Sequence, residues 1–355
     1  MNELSTVRLG EELDVPKLNR YLSEVLDINI LNTEVLQYSG GYSNLTYLLK
    51  INYEMNLVLR KPPLGARVKS GHDMSREYNI LNALYPKNIR VPRPIHFCNQ
   101  TDVLNSEFYI MEYVSGWILR SDISEDIYPK PDQMKRIFDT FIDQFVAIHG
   151  FEYKNLGLAI SANANNYPER QIVGWTKRYN NAKTDNIPSV EKLIKWLNDH
   201  IPVSSGVSLI HNDFKYDNLI LDAGSHEIKA ILDWEMSTIG DPLFDMGSSL
   251  AYWINDDDPE WIQNTILSPT IIPGNPSREE LLHAYAKKSG KDPGNGVLYY
   301  AYGMLKLAVI AQQIYARYKA GHTSNIKFAG LIKVVDLCGI IALQAIQTKK
   351  LDNLF

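Results

Sequence analysis

The sequence predicts an α+β protein with two lobes, a small lobe built on an antiparallel sheet and a larger helical lobe. Short strand patterns separated by tight turns come first, and helical periodicities dominate from about Pro131 onward. The chain has 355 residues, of which 45% are hydrophobic and 22% charged, so it can bury two separate cores. We therefore expect two domains, residues 1–113 and residues 114–355.

The small lobe is expected to begin with a helix and to continue with strands. Pro16 occupies a first-turn position, and Leu18, Leu22 and Val25 recur at helical spacing, which predicts a helix over Asp14–Leu26. The first strands that follow are joined by short polar turns, so we expect antiparallel hairpins. The elements predicted after the first helix are strands at Glu34–Tyr38, Leu45–Ile51 and Leu57–Arg60, a helix at Asp73–Tyr85, and strands at Ile95–Cys98 and Glu107–Val114.

The larger lobe is predicted to be mostly helical, with one interruption. Helices are expected at Met134–His149, Pro168–Tyr179 and Val190–Asn198, and several more after Pro242. The segment Ser208–Leu232 instead alternates short apolar strands with polar loops. This interruption contains the most informative group of polar residues in the chain.

The charge balance and the cysteine count limit the partners. The chain has 36 Lys and Arg against 41 Asp and Glu, a net charge of −5, which disfavours a nucleic-acid partner bound through overall positive charge. Cys98 and Cys338 are too few for a disulfide framework, and we expect two core thiols in a reducing compartment. The first residues lack a signal-peptide pattern, and Leu331–Ile346 is interrupted by polar residues, so we expect a cytoplasmic protein without a membrane partner. The oligomeric state is left open.

The strongest motif combines two carboxylates and an amide near the ends of apolar strands. Asp213 follows the apolar run at Leu209 and Ile210, Asn218 comes five residues later, and Asp233 ends another apolar strand. Phosphoryl transfer needs such a set: Asp213 would orient the attacking hydroxyl and accept its proton, while Asn218 and Asp233 would hold Mg²⁺. The alternative is that Asp213 and Asn218 only cap turns, which the ordered set disfavours.

A lysine and a glycine-rich turn complete the candidates from the sequence itself. Lys215 lies two residues after Asp213, where its ammonium could meet the transferring phosphoryl group. Glycines in a turn between two strands let backbone N–H groups approach phosphates closely, although an ordinary hairpin turn remains the alternative. The residues of this turn are Gly40, Gly41, Tyr42, Ser43 and Asn44.

A further set of segments extends the pattern over nearly the whole chain. These segments are Val58–Pro63, Arg76–Tyr78, Val91–Pro94, Phe108–Glu112, Glu169–Gln171, Asp233–Glu235, Gly240–Asp245 and Ala308–Tyr318. With the loop around Asp213, their order resembles the protein-kinase-like fold, and within it the aminoglycoside phosphotransferase and choline kinase-like family. The most similar subgroup contains bacterial phosphotransferases and the kinase-like module that precedes an acyl-CoA dehydrogenase in some fusion proteins.

The resemblance implies roles for residues outside the central motif. Glu112 to Val114 would be the hinge whose backbone groups bind adenine, an arrangement that leaves GTP possible beside ATP. Arg60 takes the strand position usually held by a phosphate-binding lysine, and it would pair with Glu77, while Lys61 would face the opposite side. Since no Ala-Pro-Glu segment follows Asp233, a regulated activation loop is not expected.

The function implied by the resemblance is a small-molecule kinase that transfers the γ-phosphate of ATP, with Mg²⁺, to a hydroxyl group of a metabolite. The acceptor stays open among antibiotics, amino alcohols, sugars and hydroxyacyl thioesters, and the subgroup favours a metabolic hydroxyl. An alternative is a nucleotide-binding pseudokinase that regulates without transfer, which the joint presence of Asp213, Asn218 and Asp233 disfavours. An aminoglycoside-modifying enzyme and a protein kinase are weaker alternatives.

Other conspicuous residues are interpreted structurally. His211 is expected to fix the loop that contains Asp213. Asp241 and Asp245 are expected to be buried carboxylates that hold the loop after Asp233, with a metal role as the alternative. The acidic run Asn255–Glu260 is interpreted as a solvated, helix-capping turn rather than a site for a cationic substrate. Four aromatic residues could belong to the core or line an acceptor site, namely Trp175, Tyr179, Tyr252 and Trp253.

Overall fold

The structure of the protein is a computed structural model. It describes residues 4–38, 44–63, 72–123, 127–156, 166–266, 268–294, 296–323 and 325–355. Within these ranges, the helices are all too short or too polar to cross a membrane. The residues group into two compact units. The first unit comprises Met1–Trp117, Lys154–Leu158 and Leu219–Met236, and the second comprises Ile118–Tyr153, Ala159–Asn218 and Ser237–Phe355.

The first unit is built on a six-stranded antiparallel sheet with the strand order β1-β2-β3-β4-β6-β5. A separate two-stranded ladder, β8-β9, belongs to the same unit although it follows much later in the sequence. The division predicted at residue 113 stays a prediction. The elements are β1 (Leu4–Ser5), α1 (Val15–Leu26), β2 (Thr33–Tyr38), β3 (Leu45–Ile51), β4 (Met55–Lys61), α2 (Met74–Leu84), β5 (Pro94–Cys98), α3 (Thr101–Leu104), β6 (Phe108–Glu112), β8 (Leu219–Leu221) and β9 (Ile228–Ile231).

The two faces of the large sheet have different roles. On one face, the alternate residues Tyr47 and Leu49 of β3 and Leu59 of β4 join a hydrophobic core that includes Leu18 and Leu22 of α1. Because successive side chains of a strand point to opposite faces, the residues between them face the other side, where α2 packs against β5 and β6. This second face contains the polar residues described below.

The second unit is predominantly helical. Its longest helix, α10, packs against α11, α7, α5 and α6 and forms the centre of the unit. The antiparallel sheet of the first unit and the mostly helical second unit confirm the predicted α+β class. The remaining elements are α4 (Pro131–His149), α5 (Tyr167–Ala182), α6 (Pro188–Asp199), β7 (Ser208–Ile210), β10 (Thr238–Gly240), α7 (Pro242–Leu250), α8 (Glu260–Gln263), α9 (Arg278–Ser289), α10 (Gly296–Lys319) and α11 (Leu331–Thr348).

Two glycines allow α7 and α10 to cross closely. A Cβ atom on Gly303 would lie 1.9 Å from the carbonyl oxygen of Gly247, and one on Gly247 would lie 2.2 Å from the carbonyl oxygen of Tyr299. Both distances are shorter than any contact that a side chain could accept from rigid backbone, so each position requires glycine. The backbones of the two helices are therefore in direct contact.

Candidate active site

The first group of site residues is centred on Arg60, near the end of β4. Its guanidinium contacts three carboxylates, with Nη1 at 3.3 Å from Glu77 Oε1 and Nη2 at 2.8 Å from Asp233 Oδ1 and 2.9 Å from Glu235 Oε2. We call Arg60, Glu77, Asp233 and Glu235 the Arg60 cluster. Lys61, the next residue, faces the opposite side of the sheet and donates from Nζ to the carbonyl oxygen of Leu104 at 2.9 Å.

Local structure places Asp233 and Glu235 beside Arg60. The strand β9 ends at Ile231, and Asp233 adopts a left-handed backbone conformation with φ of 65°. The indole Nε1 of Trp234 donates to the carbonyl oxygen of Ile231 at 3.0 Å, and this bond closes the turn. The side chain of Asp233 is 35% exposed, whereas that of Glu77 on α2 is 3% exposed. Asp233 is therefore the carboxylate of the cluster that solvent reaches most easily.

Neighbouring charges and burial shift the pKa values of Arg60 and Glu77 in opposite directions. Burial alone would lower the pKa of Arg60, but the carboxylates of Glu77 and Asp233 outweigh it and hold that pKa well above its usual value. Burial raises the pKa of Glu77, although the Arg60 charge acts in the opposite direction. Burial also raises the pKa of Tyr109, the neighbour of Arg60 on β6. Three carboxylates around one guanidinium give the cluster an excess of negative charge when all are ionised.

The glycine-rich turn is described only at its last residue. Gly40, Gly41, Tyr42 and Ser43 lie outside the described residues, as does everything predicted for them. Asn44 donates from Nδ2 to Glu235 Oε2 at 2.7 Å, and its Oδ1 lies 2.9 Å from Nδ1 of His72. This contact connects the start of β3 to the Arg60 cluster.

The predicted hinge residues lie at the end of β6. Glu112 exchanges two hydrogen bonds with Arg93: its backbone N–H donates to the Arg93 carbonyl at 2.9 Å, and its Oε1 accepts from the Arg93 N–H at 2.8 Å. Val114 is half-buried and follows the strand. A Cβ atom on Gly116 would lie 2.4 Å from the carbonyl oxygen of Leu221, so this position needs glycine for the chain to pass β8.

The second group of site residues lies in the second unit, in the loop after β7 (residues 211–218), which we call the Asp213 loop. The buried carboxylate of Asp245 on α7 accepts from the backbone N–H of His211 at 2.6 Å and from that of Asn212 at 2.7 Å. The imidazole Nε2 of His149 lies 3.1 Å from Asp245 Oδ2. Asp245 is buried as expected, but it holds the start of the Asp213 loop rather than the loop after Asp233.

The predicted catalytic residues Asp213 and Lys215 and the predicted metal ligand Asn218 lie together in this loop. Asn218 donates from Nδ2 to the carbonyl oxygen of Asp213 at 2.8 Å and to its Oδ2 at 2.9 Å. Lys215 Nζ lies 3.2 Å from the same Oδ2 and 4.3 Å from the centre of the Tyr252 ring. We call Asp213, Lys215, Asn218 and Tyr252 the Asp213 cluster. Of the four aromatic residues singled out from the sequence, Tyr252 is half-buried, whereas Trp175, Tyr179 and Trp253 are buried in the core.

The pKa of the Asp213 carboxyl group is lowered although its side chain is only 17% exposed. Burial would raise the pKa of Asp213, but the charges of Lys215 and Lys306, with smaller contributions from His211 and Asn218, hold it below its usual value. A carboxylate with a lowered pKa is unprotonated at neutral pH and can accept a proton. Lys306, on α10, was not identified from the sequence, although a single lysine inside the apolar run Met304–Val309 is an available signal.

The remaining motifs have structural partners. His211 is fully buried, and its Nδ1 accepts from the backbone N–H of Asp213 at 3.3 Å, as a loop-fixing histidine would. Asp241 caps α7 by accepting from the Leu243 N–H at 2.9 Å. The interpretation of Asn255–Glu260 as a solvated turn is wrong for Asp258, which is buried and pairs with Arg278 through contacts of 2.6 and 2.7 Å. A buried arginine twenty residues away supplies the compensating charge.

Comparison with known proteins finds both a family and individual relatives. The family model described as "Phosphotransferase enzyme family" matches residues 34–281. Acyl-CoA dehydrogenase family member 10 of Mus musculus is 33% identical over 311 residues, a match that covers 87% of this chain and 29% of the relative. The chain thus spans less than a third of that relative's length.

Two solved structures share the fold. A putative aminoglycoside phosphotransferase from Ralstonia eutropha superposes with a TM-score of 0.77 at 26% identity, covering 95% of this chain and 99% of the other. A choline kinase from Cryptosporidium parvum superposes with a TM-score of 0.64 at 14% identity, covering 94% and 96%. At that low identity the second likeness shows the fold alone.

Proposed function

This chain belongs to the phosphotransferase enzyme family, and from that premise we propose that it transfers the γ-phosphoryl group of ATP to a hydroxyl group of a small metabolite. Family membership makes it an ATP-dependent phosphotransferase with an alcohol acceptor. The catalytic residues, the metal and the class of acceptor are the proposal. The observation that supports it most strongly is the Asp213 cluster, in which a partly buried carboxylate lies 3.2 Å from a lysine ammonium.

In the proposed reaction, Asp213 is the base. The acceptor oxygen attacks the γ-phosphorus, the bond to the β,γ-bridging oxygen breaks, ADP leaves, and the hydroxyl proton passes to a carboxylate oxygen of Asp213. Lys215, 3.2 Å from that carboxylate, places a positive charge where the transferring group gains negative charge. Asn218 restrains the carboxylate through its hydrogen bond to Oδ2.

Asn218 and Asp233 are the proposed protein ligands of Mg²⁺. The amide nitrogen of Asn218 is used in bonds to Asp213, which leaves its amide oxygen as the metal donor. Asp233 offers a partly exposed carboxylate, and hard oxygen donors suit Mg²⁺, which takes few protein ligands. Over the part of the chain that the structure describes, no group of three or more His, Cys, Asp or Glu is arranged to hold a metal, and this site needs only two oxygens. Bound Mg²⁺ would neutralise charge on the nucleotide phosphates.

Arg60 is the proposed phosphate contact on β4. Its planar guanidinium can bind two oxygens at once, and its high pKa keeps it charged at every working pH. Glu77 pairs with it in the way the resemblance implies, through a contact of 3.3 Å. Backbone groups of Glu112 to Val114 would bind the base of the nucleotide, and Asn44 with Gly40, Gly41, Tyr42 and Ser43 would cover its phosphates.

One observation favours a second candidate, a nucleotide-binding pseudokinase. Arg60 Nη2 contacts Asp233 Oδ1 at 2.8 Å, so the carboxylate proposed for the metal already has a cationic partner. A protein that retained this pair on nucleotide binding would bind ATP without transfer. The enzyme is the better-supported candidate because Asp213, Lys215 and Asn218 form a complete set of contacts.

A screen for ADP release distinguishes the two candidates. Wild type, Asp213→Asn and Asp199→Asn are incubated with ATP, Mg²⁺ and a library of hydroxyl compounds that includes sugars, amino alcohols, hydroxyacyl thioesters and aminoglycosides. Asp199 is an exposed carboxylate on α6 and serves as the matched control. We expect at least one compound to stimulate ADP release by wild type and Asp199→Asn but not by Asp213→Asn. MgATP binding without stimulation by any compound would favour the pseudokinase.

A further inference from the structure

Lys306 is a buried lysine in the middle of α10. Only 4% of the residue is exposed, and its neighbours Leu305 and Val309 are fully buried. Lysine is rarely buried without partners, because removing an ammonium from water is costly. Its Nζ donates to the carbonyl oxygen of Asn212 and to Ser248 Oγ, the latter at 3.1 Å. One of the two bonds therefore reaches the residue directly before the proposed base.

The carbonyl held by Lys306 belongs to the peptide unit that joins Asn212 to Asp213. The N–H of this same planar unit, on Asp213, donates to Nδ1 of His211 at 3.3 Å. Asn212 has a φ of 68°, a left-handed conformation that is sparsely populated and needs support from its surroundings. Hydrogen bonds therefore hold both the oxygen and the nitrogen of this peptide unit, which fixes its plane. The fixed plane in turn sets the direction in which the Asp213 side chain projects from the backbone.

We propose that Lys306 is a positioning residue which, by holding the Asn212 carbonyl, aims the Asp213 carboxylate at the acceptor hydroxyl. The inference depends on the proposed function, since it takes Asp213 as the base. Lys306 itself contacts backbone and a hydroxyl, and it acts through Asp213.

The surroundings of Lys306 explain why a cation is used there. The carboxylates of Asp213 and Asp245 attract the ammonium, whereas Lys215 and Arg178 repel it. Burial lowers the pKa of Lys306 to about 8, so the group is mainly protonated at neutral pH. An apolar side chain at this position would leave the Asn212 carbonyl buried without this donor.

The test compares Lys306→Met with a matched variant of the same helix. Gln312 is fully buried on α10 and donates from Nε2 to the carbonyl oxygen of Ala182 at 2.9 Å, so Gln312→Met also removes a buried donor from a backbone carbonyl, but away from the Asp213 loop. Four quantities are measured in the full chain: hydrogen exchange of the Asp213 amide, and kcat, KM and MgATP affinity with the acceptor identified by the screen.

For Lys306→Met we expect exchange of the Asp213 amide to accelerate about tenfold or more, because the peptide plane loses its restraint. We expect kcat, corrected for the folded fraction, to fall about 10- to 100-fold with MgATP affinity within about threefold of wild type. For Gln312→Met the amide exchange rate, kcat and MgATP affinity should all stay within about threefold of wild type. If Lys306→Met does not fold, Lys306→Gln, whose neutral amide is too short to reach the carbonyl in the same way, should show the same losses.

Unchanged exchange of the Asp213 amide in the Lys306 variant overturns the inference, whatever the enzyme phosphorylates. Equal losses in the Lys306 and Gln312 variants overturn it as well, because they would mark a general effect of helix packing. Accelerated exchange in a protein that phosphorylates no compound contradicts the proposed function and supports the restraint by Lys306.

Discussion

The Arg60 cluster of the first unit and the Asp213 cluster of the second unit bury charge in different ways. In the first, one guanidinium contacts three carboxylates through side chains from β4, α2 and the turn after β9. In the second, one carboxylate lies in a loop whose backbone N–H groups bind Asp245 and whose carbonyl binds Lys306. The first cluster is held by ion pairs, whereas the loop that carries the second cluster is held mainly through its backbone groups.

The difference indicates how each cluster should respond to substitution and to ligands. Ion pairs between long side chains can rearrange when a ligand offers competing charge, as Mg²⁺ and phosphates would at Asp233 and Arg60. A loop fixed through its peptide groups keeps its geometry with or without ligand. We therefore expect changes in the Arg60 cluster to affect nucleotide and metal binding, and changes at Asp213 and Lys215 to affect the chemical step.

The largest effect is expected for Asp233→Asn, which removes the charge proposed to hold Mg²⁺. We expect it to abolish turnover at ordinary Mg²⁺ concentrations, since the site would lose its only proposed charged protein ligand for the ion. ADP formation is measured across a Mg²⁺ titration. Asp222→Asn is the control, because Asp222 lies in the turn between β8 and β9 and is exposed. Wild-type ADP formation by Asp233→Asn would remove the metal assignment.

The next largest effect is expected for Asp213→Asn, which removes the proposed base. General-base contributions are about 10²- to 10⁴-fold in rate, so kcat of Asp213→Asn for the true acceptor should fall by that range. MgATP affinity should stay within a few-fold, because Asp213 is not proposed to contact the nucleotide. Rapid-quench kinetics and calorimetric titration measure the two quantities. A variant that transfers phosphate at the wild-type rate would show that Asp213 is not the base.

A smaller effect is expected for the phosphate contact on β4. Loss of a charged hydrogen bond costs about 1.5–3 kcal/mol, so Arg60→Ala should weaken MgATP binding roughly 10- to 100-fold. Lys61→Ala is the matched control, because Lys61 faces the other side of the sheet and bonds the Leu104 carbonyl. It should lower the free energy of unfolding and leave the affinity of the folded protein unchanged. Equal losses of affinity in both variants, measured by calorimetry, would contradict the assignment.

The smallest effect is a pH dependence of the free energy of unfolding, which should have opposite signs for one carboxylate in each unit. Burial raises the pKa of Glu77, so the folded state holds that proton more tightly than the unfolded state and gains stability from it as the pH falls. For Asp245, burial is outweighed by its bond to His149 and the pKa is lowered, so its contribution is present above the ordinary carboxyl pKa and is lost as the pH falls towards the folded value.

Urea unfolding between about pH 7 and 3 measures these contributions, using carboxyl pKa values near 4 as the reference. The difference in unfolding free energy between wild type and Glu77→Gln should increase as the pH falls, and the difference between wild type and Asp245→Asn should decrease. Each slope has a limit of about 1.4 kcal/mol per pH unit for one proton. Slopes of the same sign would show that folding shifts the pKa values of the two carboxyl groups in the same direction, which would contradict the difference between the two clusters.

Local sequence predicts the parts of the site that depend on short spacing. Asp213, Lys215 and Asn218 lie in one loop after one strand, so their proximity follows from the chain itself. Strand alternation likewise separates Arg60 from Lys61. The sequence resemblance implied the pairing of Arg60 with Glu77, and the structure contains it.

Contacts between distant segments could not be predicted in this way. Lys306 lies in an apolar helical run, where nothing nearby indicates that its ammonium bonds the Asn212 carbonyl. Asp258 belongs to an acidic run that is typical of solvated turns, and only the fold shows that it pairs with Arg278. Burial of such charges depends on partners that become neighbours only when the helices pack.

The glycine crossing of α7 and α10 has a consequence for how inactivating substitutions should be distributed. Asp245 and Lys306, which bond the two sides of Asn212, are on α7 and α10, and those helices contact each other at Gly247 and Gly303. A methyl group at either glycine would separate the helices and pull the loop's two supports apart, even though no catalytic side chain is altered. We therefore expect some variants to fold and to keep every proposed catalytic residue, yet to have a low kcat. Their substitutions should lie at this helix crossing.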